Sequence, residues 1–207
     1  MPTDLHRAAS IREALQSGGL VDDRVFDGLY PVDLRRASRV HWTPVEVAAR
    51  AAGLLGETPG LRLLDVGSGV GKFCIVAAAA SRARVSGVEH RRHLVQVAED
   101  ASARVGVTVD FTLGTLEACD PRDYDGVYLF NPFAENLATR DDYIDDTVEL
   151  NGERFFRDIA TTERFLQQAR DGMRVVTYCG WGGSMPPDYR LALRESRAGR
   201  LELWVKQ

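Results

Sequence analysis

Hydrophobic positions change their spacing twice along this chain. In residues 1–60 they recur at helical intervals: Leu5, Ala8, Ile11 and Leu15 fall on one side of a helix that Gly18-Gly19 ends. Residues 33–39 are polar and rich in arginine. Thr43-Pro44 then reads as an N-cap followed by proline at the first helical position, opening a helix over about 45–55 that Gly56 and Pro59-Gly60 terminate. From residue 61 short apolar runs alternate with helical stretches. The pattern predicts strands over 61–66, 84–88, 107–112, 125–130 and 173–179, and helices over 72–81 and 90–105. A long polar helical stretch follows Asn131-Pro132, with Phe155, Ile159 and Leu166 on one side. In the tail Leu201, Leu203 and Val205 alternate with Glu202, Trp204 and Lys206, which reads with residues 189–195 as a hairpin around Ala198-Gly199. Strand–helix alternation implies a mostly parallel sheet covered on both faces. The antiparallel hairpin brings the count to seven strands, an ending foreign to an all-parallel sheet.

Composition narrows the class. The 207 residues are 44% hydrophobic and 27% charged, the balance of a globular domain rather than a disordered, collagenous or membrane-embedded chain. Net charge is −4, so a wholesale basic footprint for nucleic acid is absent, and nucleic acid is not the expected partner. Cys74, Cys119 and Cys179 are far apart with no C-x-x-C pair, which argues against a disulfide framework and a cysteine-built zinc site. The first seven residues hold no apolar segment of a secretory signal, and the longest apolar run, residues 74–80, is too short to span a bilayer. A cytoplasmic protein is expected, with no membrane partner; nothing in the pattern sets the oligomeric state.

The sharpest motif is Asp65-Val66-Gly67-Ser68-Gly69-Val70-Gly71, placed between the first strand and its helix. Glycines there allow a sharp turn and close approach of a ligand to the backbone. The helix N-terminus behind them favours an anionic group. A P-loop would need glycine at 66 and Ser or Thr at 73, but Val66 and Phe73 stand there, despite the Gly71-Lys72 pair. The dinucleotide fingerprint would need glycine at position 72, which is Lys72. The spacing D-x-G-x-G-x-G instead resembles the first motif of the class I S-adenosylmethionine-dependent methyltransferases, over roughly residues 40–207. The resemblance implies a Rossmann-like, doubly wound α/β sheet, mostly parallel and seven-stranded, with N-terminal helices. Residues 1–40 are expected to form a helical extension or lid and residues 41–207 the S-adenosylmethionine-binding domain. His41-Trp42-Thr43-Pro44 is similar to the segment that often covers the cofactor.

The resemblance also distributes roles. Asp65, Gly67, Ser68, Gly69 and Gly71 form the cofactor loop. Glu89, 22 residues after Gly67 and at the end of the second strand, would accept the ribose hydroxyls. Thr115 and Leu116, after the third strand, would flank adenine, although no Asp or Asn stands at the usual place; Leu116 reads equally as core. Asn131-Pro132-Phe133, ending the fourth strand, resembles the Asn-Pro-Pro-aromatic motif of amine methyltransferases with one proline missing. It is the candidate catalytic group, and Asn131 is also a cofactor contact. The Asn131 oxygen and the Pro132 carbonyl would accept the N–H bonds of a neutral amine, and Phe133 would face the cationic product. The opposing reading is a strand-ending turn.

Other residues are less decisive. Asp141, Asp142, Tyr143 and His41 are candidate bases, none singled out by spacing. Arg35, Arg36 and Arg39 could meet a substrate anion or the cofactor carboxylate, or form a solvated basic turn. Tyr178, Trp181 and the glycines at 180, 182 and 183 could line a substrate wall or simply form a glycine-rich loop. His90 and His93 lack a third ligand, so no metal is expected and a solvated helix start is the reading. The expected activity is methyl transfer to an acceptor such as an amine nitrogen of a small molecule or protein side chain. The alternative is a non-catalytic S-adenosylmethionine-binding regulatory or partner subunit.

Overall fold

The strands form one seven-stranded sheet in the order β3-β2-β1-β4-β5-β7-β6. They are β1 (Arg62–Val66), β2 (Arg84–Glu89), β3 (Val109–Leu113), β4 (Gly126–Phe130), β5 (Arg174–Tyr178), β6 (Tyr189–Ser196) and β7 (Arg200–Lys206). The first five are parallel, and β7 runs antiparallel to both β5 and β6. This computed structural model describes residues 2–19, 21–56, 58–196 and 199–207; Ala198 of the expected hairpin turn and the side chain of Leu5 lie outside the described residues. The doubly wound α/β sheet with its closing hairpin is the architecture that the strand–helix rhythm implies.

Period-two alternation divides the central strands between two cores. Leu63, Val85, Tyr128 and Val176 pack on one face with α4 (Val45–Leu55), α5 (Lys72–Ala80) and α6 (Arg92–Val105). Leu64, Val66, Val127, Leu129 and Val175 pack on the other with Phe165 and Leu166 of α7 (Gly152–Gln168). Strands buried on both faces read as continuous apolar runs, which is why their existence was plain and their facing was not. The tail is tied to α7: Lys206 Nζ donates to the Leu166 and Gln167 carbonyls at 3.1 and 2.6 Å, and Tyr189 Oη to the Leu166 carbonyl at 3.0 Å, satisfying the free acceptors at a helix C-terminus.

Residues before β1 share the first core. Ala8, Ile11 and Leu15 of α1 (Pro2–Gln16) are buried in the same cluster as Ile75, and α1 lies against α5 and α6. Phe26 of α2 (Asp23–Asp27) and Tyr30 join them, Tyr30 packing edge-on against Trp42 at 4.8 Å. Lys72 fastens this segment to the glycine loop. Its ammonium, 3% exposed, reaches Asp23 Oδ1 and Asp27 Oδ1, both at 2.6 Å. Asp27 also accepts from the Ser38 hydroxyl at the start of α3 (Ser38–His41), and Asp23 accepts the Val45 N–H at 2.9 Å. The lysine that superficially suggested a phosphate loop is therefore committed to an internal ion pair.

Some boundaries differ from the sequence pattern. Pro44, not Thr43, occupies the cap of α4; the Thr43 hydroxyl is drawn away to Tyr128 Oη at 3.0 Å, and Asp23 supplies the capping acceptor from outside the helix. α6 starts at Arg92 rather than His90, because the Glu89 carboxylate takes the Arg91 N–H and holds Arg91 extended. The helical stretch expected directly after Pro132 begins only at Gly152, where the Asn151 side chain accepts the Arg154 N–H at 2.8 Å. Before it the chain makes short 3-10 turns at Ala134–Leu137 and Arg140–Asp142. No helix among the described residues is long and apolar enough to cross a membrane.

Removing one partner of a buried ion pair leaves a charge uncompensated. Lys72→Met, which strands Asp27, should lower the unfolding free energy by about 3–5 kcal/mol. Asp23→Asn should cost less, since Asp23 is 46% exposed. Urea unfolding of both variants checks the order, and equal costs would show that the clamp is not centred on Asp27.

Candidate active site

Strand order reverses at β1, whose neighbours β2 and β4 lead to opposite edges of the sheet, and a crevice opens at the carboxyl ends there. A cleft of about 350 Å³ occupies that position, large enough for a small-molecule ligand. Asp65, Gly67, Ser68, Gly69, Glu89, Thr115, Leu116, Asn131, Pro132 and Phe133 all line it. Gly71 does not. A Cβ at Gly71 would lie 2.7 Å from the Phe111 ring and 2.9 Å from Ala98 Cβ, so that glycine serves helix packing behind the loop.

The loop is pinned to β2: the Gly67 and Ser68 N–H groups donate to the Val88 carbonyl at 2.9 and 3.0 Å. Gly67 (φ 71°) is pressed against Pro132, whose Cβ would lie 3.0 Å from an added Cβ. Gly69 (φ 54°) faces open space. Glu89, 6% exposed, is held from two sides. Its Oε2 accepts the Gly69 N–H at 3.0 Å and its Oε1 the Arg91 N–H at 2.8 Å. Burial raises the Glu89 carboxyl above its usual range, and the Arg91 and Gly69 bonds work against that rise. A carboxylate has about four acceptor sites, so each oxygen keeps capacity for a hydroxyl.

Asp65 is 5% exposed and accepts from the Cys74 thiol at 3.3 Å. Burial pushes its carboxyl up to about 7, with the Glu89 charge adding to the rise and the thiol opposing it. Two buried polar atoms of the cleft lining have no partner among the described residues: Ser68 Oγ and Asn136 Oδ1. Open space at Gly69, spare acceptor capacity on Glu89 and these two atoms fit a nucleoside-bearing ligand with several donors.

The β4 end carries the second half of the site. Asn131 has a left-handed backbone (φ 44°), which asparagine tolerates better than most residues. Its N–H donates to the Gly180 carbonyl at 2.9 Å and its carbonyl accepts from Ala134 at 3.2 Å, so both main-chain groups are bonded, and the exposed residue lines the cleft. The loop beyond Asn131 is anchored by Arg91, 3% exposed. Its guanidinium grips Glu135 through two bonds at 2.9 and 3.0 Å and Asp145 at 3.1 Å. Asp145 also pairs with His93 at 3.0 Å. His90 is not solvated as the sequence suggested. It sits between Arg91 and Arg154, and burial together with those two guanidinium groups lowers it to about 4, so the ring is neutral. Neither Arg91 nor Glu135 was singled out in the sequence, because their partnership spans 44 residues.

Other candidates are redistributed. His41 lines the cleft and its Nε2 meets the Asp142 carbonyl at 3.1 Å, joining the segment before α4 to the loop after β4. Asp142 lines the cleft, Tyr143 does not, and the side chain of Asp141 lies outside the described residues. Arg35 turns inward to the Tyr30 and Gly28 carbonyls, while Arg36 and Arg39 are exposed away from the lining. Trp181 is buried in the second core, and Gly182 and Gly183 accommodate Phe155, Ile159 and Trp181; neither they nor Tyr178 reach the cleft. Among the described residues no group of three or more His, Cys, Asp or Glu is placed to hold a metal ion.

No protein-family model matches the chain, and no curated protein matches it in sequence. Solved structures do match in shape. An RNA methyltransferase from Salinibacter ruber, in complex with S-adenosyl-L-homocysteine, is similar over 79% of this chain and 92% of its own, at 22% identity and a TM-score of 0.60. TrmN from Thermus thermophilus is similar over 84% of this chain at 17% identity and a TM-score of 0.63, and this chain spans about half (52%) of TrmN. Magnesium protoporphyrin IX methyltransferase from Synechocystis PCC 6803, with bound S-adenosylmethionine, is similar over 97% of both chains at 17% identity and a TM-score of 0.53. At these identities the likeness is one of fold: the chain has the Rossmann-like fold of these methyltransferases.

Asp65 gives the site a pH signature. Its folded value of about 7 lies above the usual 3.8, so the stability it contributes is fully present below about pH 4 and is lost as pH rises to 7. The interval corresponds to on the order of 4 kcal/mol. Wild-type protein should lose melting temperature between pH 5 and pH 8, and Asp65→Asn should lose much less. A residual slope of the same sign is expected from Glu89. If the variant kept the full wild-type slope, the dependence would belong to other groups.

Proposed function

We propose that the protein is an S-adenosylmethionine-dependent methyltransferase. The observation that carries this reading is Glu89: a buried carboxylate at the end of β2, lodged against the Gly69 and Arg91 amides, with free lone pairs beside an open glycine. That arrangement suits the two hydroxyls of a ribose. S-adenosylmethionine, when bound, supplies a methyl group already activated on a sulfonium.

The chain's own residues then bind and orient. Glu89 accepts the ribose hydroxyls, and the 67–69 turn lies against the ligand without a side chain in the way. Asp65 presents a carboxyl to the cationic portion. Thr115 and Leu116 border the nucleobase end, Leu116 as an apolar wall. On the acceptor side the side-chain oxygen of Asn131 takes an N–H of the incoming amine, and the Pro132 carbonyl and the Phe133 ring border it. Holding the reactants in line can supply roughly 7–11 kcal/mol of barrier lowering, which is most of what such a transfer asks of a protein.

An amine of a small molecule or a protein side chain is the proposed acceptor. Of the carboxylates in residues 141–149, Asp145 is taken up by Arg91 and His93, but Asp142 lines the cleft and Asp146 and Glu149 keep the loop acidic, which favours a cationic group and opposes a phosphate backbone. The expectation against nucleic acid draws no support from the similar structures, one of which is an RNA methyltransferase. In this reading residues 1–40 form an extension that buttresses the loop through Lys72, and residues 41–207 form the binding domain. Three free cysteines accord with a cytoplasmic setting.

Calorimetry with S-adenosylhomocysteine should show micromolar-range binding. Glu89→Ala should weaken it by about 30-fold, the worth of hydrogen bonds to a charged group. Gly69→Arg, which places a side chain in the open space, should abolish it. Asn131→Ala should retain that affinity and lose turnover in a labelled-methyl screen of amines. A folded wild-type protein without measurable binding would end the proposal.

A further inference from the structure

The unpartnered side-chain oxygen of Asn136 has been given no specific role above. It lies in the turn Ala134–Leu137 and is 93% buried, with 7% of its surface exposed. Its backbone N–H and its side-chain Nδ2 both donate to the Phe133 carbonyl, at 3.0 and 3.1 Å. That fixes which end of the amide is which: Oδ1 is left without a partner in the cleft lining. Buried acceptors are rarely left unpaired, and an oxygen held this rigidly is built for a donor that arrives with a ligand.

The neighbours say which donor. Glu135, the preceding residue, is clasped by Arg91, two positions beyond Glu89. Asn136, next in the chain, is thereby held on the β2 side of the cleft, near Glu89. Residues 114–117, which follow β3 beside β2, line the same cleft with Phe133, Asp158 and Thr161, and the turns Leu116–Ala118 and Ala134–Leu137 both lie against α7. Thr115 and Glu117 are exposed, and Asp158 faces Arg154 at 3.6 Å. None of their side chains offers a buried, uncommitted acceptor, and no Asp or Asn stands directly after β3. A free, buried acceptor comes instead from the loop after β4.

We propose that Asn136 is a specificity-determining residue whose Oδ1 accepts a hydrogen bond from the exocyclic amino group of adenine. The assignment rests on the function proposed above and deepens it. It makes one loop serve both halves of the site: Asn131 at its start faces the acceptor and Asn136 reads the base, with the Arg91–Glu135 pair holding the span between them.

The test compares S-adenosylhomocysteine with its 6-oxo analogue S-inosylhomocysteine by calorimetry. A carbonyl at position 6 sets oxygen against oxygen, so wild-type protein should prefer the adenosine form by about tenfold or more. Asn136→Leu should bring the ratio to within about threefold, and Asn136→Ala serves if leucine is not accommodated. A purely structural role would weaken both ligands equally and leave the ratio unchanged. Equal wild-type binding of the two ligands, or a preference that survives in the leucine and alanine variants, overturns the assignment alone. Binding of neither ligand by folded wild-type protein overturns it together with the methyltransferase reading.

Discussion

A buried carboxylate must be met by donors, and at Glu89 those donors come from two loops that would otherwise be independent. One is the turn after β1, through the Gly69 N–H; the other is the entry to α6, through Arg91. The requirement fixes both at once. It holds the glycine turn close to the end of β2, and it keeps Arg91 out of the helix that follows. The guanidinium of Arg91 is then free to reach across the cleft rather than lie along a helix surface. Position after position around the site follows from this one group's need for satisfaction in a place nearly without water.

Ion pairs extend the arrangement outward. Arg91 holds Glu135 and Asp145, so the twenty-odd residues between β4 and α7 close over the cleft without regular structure of their own. On the other flank Lys72 holds Asp23 and Asp27, bringing the N-terminal segment against the first turn of α5. Buried pairs of this kind add little net stability compared with apolar packing, because desolvation offsets the attraction. Their value here is positional. Apolar contacts define which surfaces meet, whereas a bidentate arginine–carboxylate pair defines register to a fraction of an ångström. Charge sets the register of the loop after β4 and of the N-terminal segment, whose helices also share the first core, and the sheet beneath them is placed by hydrophobic alternation.

That division explains what the sequence disclosed. Strands, the glycine turn and Glu89 were legible because each is encoded within a few residues: a run of apolar side chains, three glycines in register, an acid at a strand end. The boundaries that moved did so for distant reasons. Thr43 is lost as a cap because Tyr128, 85 residues away, takes its hydroxyl. Gly71 reads as a ligand contact by spacing, yet Phe111 and Ala98 fill the place a Cβ would need. Asn136 carries no local signature at all. Its significance appears only when Phe133 is seen to occupy its donors and Glu135 to hold it on the β2 side of the cleft. Periodicity cannot report a partnership whose members share no element.

The cleft also has an electrostatic logic that joins these parts. Asp65 and Glu89 are both raised by burial, so the glycine side of the site carries carboxyls that ionise reluctantly. A cationic ligand relieves exactly that reluctance in one direction only: it favours the charged carboxylate and lowers its value, whereas a neutral or anionic ligand does not. Around Arg91 the balance is reversed. Arg91 and Arg154 flank a neutral His90, and the acidic loop compensates Arg91. A ligand that is cationic at one end and a neutral, donor-bearing heterocycle at the other matches both halves, in the orientation that Glu89 between them enforces. S-adenosylmethionine has that polarity, and a dinucleotide with its paired phosphates would set negative charge against Asp65. The proposal of a sulfonium nucleoside rather than a nicotinamide cofactor thus rests on the charge of the cleft as well as on the spacing of its glycines.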